Sequence, residues 1–181
     1  WNIVMEGLVD VAEIRAMNQA MGGGPSDAQI VGDMEGAAAY LQAMPQAKGK
    51  VGSIGFCWGG RVTVLHACNT QRMAAAVDCW GGRVIATPEQ LTPQMPKAVF
   101  DMLADLSCPV LGIYGADDYS PTVAENEQLE AEMRRLGKDY EAHTYEGAGH
   151  AFFNFTRPNF RAPQAEAGWK EVYAFFQKQL Q

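Results

Sequence analysis

Positive charge is in short supply in this chain. Fourteen Lys+Arg against twenty-one Asp+Glu leave a formal charge of -7, the wrong sign for gripping a phosphate backbone or an anionic lipid surface, so nucleic acid is excluded as a partner. Long apolar runs are also missing. None approaches the roughly 18–20 residues of a membrane span, and the start, Trp1-Asn2-Ile3-Val4-Met5-Glu6, lacks the basic flank of a secretory signal. A soluble chain is expected. The four cysteines, Cys57, Cys68, Cys79 and Cys108, show no Cys-x-x-Cys pair and no zinc-ligand spacing with histidine. That excludes a structural metal and makes reduced thiols and a cytoplasmic origin the plain reading. Neither a phosphate loop nor a dinucleotide fingerprint occurs, so no cofactor is called for.

What is there is an α/β alternation in 181 residues, 48% of them hydrophobic, enough for one domain with a sizeable core. Apolar positions at helical spacing run over residues 8–20 and stop at the loop Met21-Gly22-Gly23-Gly24-Pro25. Ser26-Asp27 then offers an N-cap for a second helix that ends before Pro45. Residues 50–56 are a short apolar, glycine-rich run that suits a buried central strand, followed by a helix over 58–69 and a strand over 73–80. Residues 83–97 hold three prolines and no steady period, which predicts a long loop. A strand over 109–114, a helix over 121–136, a strand over 140–145 and a last helix over about 165–180 complete the pattern. Strands alternating with helices predict a mostly parallel sheet covered on both faces, with every strand's carboxyl end on one edge.

Three chemically competent residues follow three of these strands. Gly55-Phe56-Cys57-Trp58-Gly59 is G-x-C-x-G between a strand and a helix, a nucleophile elbow with cysteine as nucleophile. The small flanking residues leave room for a sharp turn, and the helix N-terminus favours a thiolate. The chain order of such folds is nucleophile, acid, histidine, and Cys57, Asp118 and His150 occur in that order. Asp118 is preferred because the turn needs room after its strand; Asp117 competes for the role. The Trp58 amide is the oxyanion donor the elbow supplies. Arg61, one helical turn past Cys57, and Arg83, after Gly82, are candidates to receive a substrate carboxylate by a bidentate pair. Trp80 and Phe152 are placed to line a pocket. Arg157 is a weaker candidate still, and His66 and His143, mid-helix and mid-strand, are read as packed or solvated without a role.

Gly-Phe-Cys-Trp-Gly-Gly-Arg, Ile-Tyr-Gly-Ala-Asp-Asp and Gly-Ala-Gly-His-Ala-Phe-Phe-Asn with the following Thr-Arg-Pro together resemble the dienelactone hydrolase family, over about residue 27 to the end. The resemblance implies an α/β-hydrolase fold and a Cys-Asp-His triad that opens enol-lactones such as 4-carboxymethylenebut-2-en-4-olide, with small esters as the broader substrate class. The family's arginine four residues after the histidine is Asn154 here, and its upstream glutamate has no position in this chain. Before Val51 there are two helices and no convincing strand. The expectation is therefore a single, incomplete hydrolase domain over residues 1–181 that lacks the front strands and one oxyanion donor. An upstream segment or a second copy of the chain would cover the exposed half-sheet. The alternative reading is a non-catalytic, hydrolase-like subunit that acts through association with another chain.

Overall fold

The computed structural model describes residues 16, 17, 19, 20, 23–47 and 49–181. The helix expected over residues 8–20 therefore lies mostly outside the described residues; 16, 17, 19 and 20 are helical. Helix α1 is Asp27–Ala43, capped by the Ser26 hydroxyl, which accepts the Gln29 N–H at 3.2 Å. After it come β1 (Val51–Phe56), α2 (Trp58–Asn69), β2 (Met73–Cys79), β3 (Val110–Gly115), α3 (Val123–Arg135), β4 (Tyr140–Tyr145) and α4 (Ala162–Gln179). Between β2 and β3 the chain is irregular, with 3-10 turns at Pro88–Gln90 and Val99–Asp105 and a bridge between Thr92 and Met95. Among the described residues no helix is long and apolar enough to cross a membrane.

Two helix starts differ from the expected ones, each for a local reason. Helix α3 begins at Val123, not Pro121, because Thr122 and Glu125 form a reciprocal capping box: the Thr122 N–H donates to Glu125 Oε2 at 2.7 Å, and the Thr122 hydroxyl accepts the Glu125 N–H. Helix α4 begins at Ala162, not Ala165. Pro163 sits in its first turn, where no intrahelical N–H is required of it.

The four strands are parallel in the order β1-β2-β3-β4. Side-chain alternation divides the core into two layers. Ala76 and Val110 face a layer with Val64, Leu65, Val99, Leu103 and Met133, under α2 and α3. Ala75, Val77, Leu111 and Ile113 face the other, with Phe152, Val172 and Phe175, under α4. Burial on both faces explains why β2 and β3 read as nearly continuous apolar runs.

Helices α1 and α2 are joined by a buried ion pair. The Arg61 guanidinium, 1% exposed, donates through Nη1 to Asp27 Oδ1 at 2.8 Å and through Nη2 to Asp27 Oδ2 at 2.7 Å. The expectation that Arg61 receives a substrate carboxylate is thus corrected: a carboxylate of the chain itself already occupies its fork, out of water. Asp27 also donates its backbone N–H to the Gln94 carbonyl at 2.8 Å, which ties the irregular 83–97 segment to the same pair. Removing one partner of a buried bidentate pair strands the other charge, at a typical cost of about 3–5 kcal/mol. Arg61→Ala is therefore expected to lower the thermal midpoint steeply, and Arg61→Ala with Asp27→Ala to recover part of the loss; calorimetric melting of the two variants checks this.

Candidate active site

Each strand's carboxyl end contributes to one edge of the sheet. Cys57 follows β1 in a backbone conformation that L-residues rarely adopt, φ 57° and ψ -122°. Its N–H continues the ladder to the Cys79 carbonyl at 2.9 Å, while its carbonyl already accepts the Gly60 N–H at 2.9 Å, so strand becomes helix within one residue. Position 55 has to be glycine: a Cβ there would fall 1.9 Å from the Gly59 carbonyl oxygen. The turn pushes Cys57 out to solvent, whereas Cys68, Cys79 and Cys108 are buried. Burial pushes the Cys68 thiol up to about 12 and the Cys108 thiol up to about 11, and raises that of Cys79 as well. All four cysteines are unpaired.

His150 follows β4 by five residues. Its Nδ1 lies 2.9 Å from Asp118 Oδ2 and 3.2 Å from Oδ1, which leaves Nε2 as the ring nitrogen on the other side. Asp118 is buried, and Oδ1 also accepts the Ser120 N–H at 2.9 Å. Asp117, the competing acid, is exposed, and among the described residues it meets this region through its N–H, which donates to the Ala148 carbonyl. The bond to Asp118, aided by a hydrogen bond and charge interaction with Cys57, pushes His150 up to about 9 against the opposing effect of partial burial. The imidazole thus lies between the Asp118 carboxyl and Cys57, and both favour its charged form.

Cys57, Trp58, Gly82, Arg83, Tyr119, Ser120 and His150 line a cavity of about 190 Å³. Trp58 is the first residue of α2, so its N–H has no acceptor within the helix. Its indole lies 4.7 Å from the Arg61 guanidinium, so Arg61 touches the site by holding a wall. Arg83 is exposed, with φ 62°, and among the described residues no carboxylate pairs with it. Two expected pocket liners are corrected. Phe152 is fully buried in the layer under α4, and Trp80, 3% exposed, packs between Phe56, Phe152 and Phe153, with its ring centroid 6.4 Å from that of His150. Burial of such large apolar rings outweighs what they would gain at a wet cleft. Arg157 and Asn154 are exposed and do not line the cavity. His66 is buried against Glu35 at 3.1 Å, and His143 lies on the surface beside Glu141.

Two residues at this edge escaped sequence reasoning. Tyr119 lines the cavity although it carries no motif; its position directly after Asp118 was the available signal. Asp78 is a carboxyl in an otherwise apolar strand and is fully buried. It accepts the Gly81 N–H at 2.7 Å and the Tyr114 hydroxyl at 3.0 Å, and Tyr114 lies 3.2 Å from the Tyr140 hydroxyl. Among the described residues no cation pairs with it. As for metals, Glu141, His143 and Glu171 bring three ligand atoms within 4.8 Å of one another on the outer surface of β4 and α4, apart from this cavity.

A parallel sheet, a strained strand-to-helix turn at Cys57 and a carboxylate-held histidine at one edge define an α/β-hydrolase. The sequence profile of the dienelactone hydrolase family matches residues 7–180, and the chain belongs to that family. A protein of Methylorubrum extorquens named "Putative carboxymethylenebutenolidase" is 38% identical over 153 residues, which cover 84% of this chain and 51% of the relative. One of the same name from Escherichia coli K12 is 30% identical over 169 residues, 93% of this chain and 61% of the relative. The chain thus spans between half and two thirds of the length of these relatives. The crystal structure of a "Putative Dienelactone Hydrolase" from Klebsiella pneumoniae superposes with a TM-score of 0.77 at 31% identity, covering 84% of this chain and 62% of that one.

Asp78 yields a pH dependence of stability. Burial pushes it up to about 7 from the usual 3.8, against the lowering effect of its Tyr114 and Gly81 hydrogen bonds. The folded chain then binds more protons than the unfolded one between those values, so this group's contribution falls as pH rises from about 4 to about 7 and is level above. Asp78→Asn keeps an acceptor for Gly81 and has no proton to exchange. Urea unfolding across that pH range is expected to show a flatter profile for the variant than for the parent.

Proposed function

We propose that the chain hydrolyses small carboxylic esters or lactones through an acyl-Cys57 intermediate. The observation that supports this most is the carboxylate-held imidazolium beside the one cysteine that its backbone turns out to solvent, with the other three buried. The Cys57 thiolate attacks the substrate carbonyl, and the carbonyl electrons move to oxygen, which the Trp58 N–H faces. Collapse breaks the ester C–O bond. His150 gives its proton to the departing oxygen, which in a lactone stays tethered to the acyl group. The now neutral imidazole takes a proton from water, whose oxygen attacks the thioester; the thiolate leaves, the acid is released and the imidazolium is restored. Asp118 keeps Nδ1 occupied throughout, and Arg83 receives a carboxylate elsewhere on the substrate. Four unpaired thiols accord with a reducing, cytoplasmic setting.

Cys57→Ala is expected to lower the hydrolysis of a 4-nitrophenyl ester by at least about a hundredfold with the melting curve unchanged. Turnover retained by the purified variant would overturn the nucleophile. The pH limb has a definite sign. His150 is protonated below about 9, and the reactive pair needs that proton, so the rate falls as pH rises through about 9; a rate that climbs there would indicate a neutral imidazole acting as base. Arg83→Ala is expected to raise KM about tenfold for a monosuccinate ester and to leave the matching neutral ester within about twofold, the size of one lost charge-assisted pair.

A further inference from the structure

Tyr119 is the most exposed aromatic ring of the cavity, at 80%, beside a histidine whose orientation is fixed. The Asp118 carboxylate accounts for both facts. One of its oxygens accepts the Ser120 N–H at 2.9 Å, which shapes the turn that carries Tyr119, while the same carboxylate holds His150 Nδ1. The Tyr119 ring lies beside the imidazole, tilted to it, with centroids 6.0 Å apart and planes inclined by 35°. Among the described residues its hydroxyl has no hydrogen-bond partner, and most of the ring is open to what enters the cavity. A lone exposed tyrosine elsewhere would mean little. This one shares a wall with the nucleophile and with the half-exposed Trp58 indole.

Under the acyl-Cys57 reading, on which this step rests, the departing oxygen has to reach His150 to be protonated. Whatever is attached to that oxygen then lies beside the histidine, against Tyr119. We infer that Tyr119 is a specificity-determining residue that receives the aromatic ring of an ester's leaving alcohol, face against face. Offset stacking of that kind selects a flat ring over a puckered ring of the same size.

The test compares benzyl acetate with cyclohexylmethyl acetate, whose alcohols differ in ring shape far more than in basicity. The parent is expected to favour the benzyl ester in kcat/KM. Tyr119→Ala is expected to lower that preference about fivefold, through KM, and Tyr119→Phe to keep it, the scale of one aromatic contact. A fluorescence titration with benzyl alcohol gives a second readout that needs no chemistry: its Kd is expected to weaken about fivefold in Tyr119→Ala and to hold in Tyr119→Phe. Unchanged preference and unchanged Kd in Tyr119→Ala would overturn the assignment, as would loss of both in Tyr119→Phe, which would point to the hydroxyl. Should Cys57→Ala retain turnover, the acyl-enzyme reading fails on its own, and the benzyl alcohol titration still decides the role of Tyr119.

Discussion

Everything at the carboxyl edge depends on how closely β1 approaches the first turn of α2. The Cβ that residue 55 lacks would sit far closer to the Gly59 carbonyl oxygen than van der Waals contact allows, so the crossing exists only because glycine stands there. That closeness forces Cys57 into a positive-φ conformation, and the conformation in turn points its side chain away from the core that claims the other three thiols. Backbone strain of this kind typically costs about 1–3 kcal/mol and persists only where the surroundings over-determine it. Here they do: the Cys57 N–H is held by β2 and its carbonyl by α2.

Around that point the molecule places three carboxylates in three electrostatic situations. Asp27 is buried and fully paired with Arg61, and the pair fastens α1 and the irregular segment to the helix that starts at the elbow. Asp78 is buried with hydrogen-bond donors and, among the described residues, no cation, so its ionisation is opposed. Asp118 is buried beside a histidine whose charged form it favours. Among the described residues, only the last arrangement places its partner on the wall of the cavity that Cys57 lines. The first two hold backbone in place: one fixes the helix below Trp58, the other the turn after Trp80.

The sheet and the site differ in how legible they were in the sequence. Alternating short apolar runs and helical periods specify the parallel sheet, because strands buried on both faces are built mostly from apolar residues, and β1 to β4 lie within a residue or so of where the pattern puts them. The elbow, Asp118 and His150 were legible for a related reason: the ends of parallel strands fall on one edge, so residues just past them meet. What the pattern could not convey was the direction of side chains beyond those points. Arg61 is next to the site in sequence, yet it turns inward to a partner 34 residues upstream. Trp80 and Phe152 lie at the right edge and on the wrong side of it, since packing against Phe56 and Phe153 depends on tertiary neighbours that no local period encodes. Helix starts shifted by two or three residues because capping by Thr122 and the tolerance of Pro163 in a first turn are decided by single side chains.

The distribution of the thiols has a consequence of a different kind. Cys68 and Cys108 lie in the layer under α2 and α3, Cys79 lies in the layer under α4, and Cys57 lies outside both. A thiol inside a packed layer reacts only when that layer opens, so its labelling rate measures the free energy of opening rather than chemical reactivity. The chain therefore carries an intrinsic clock for each half of its core. Mass-resolved labelling of the three inner cysteines would reveal whether the two layers come apart together or one before the other.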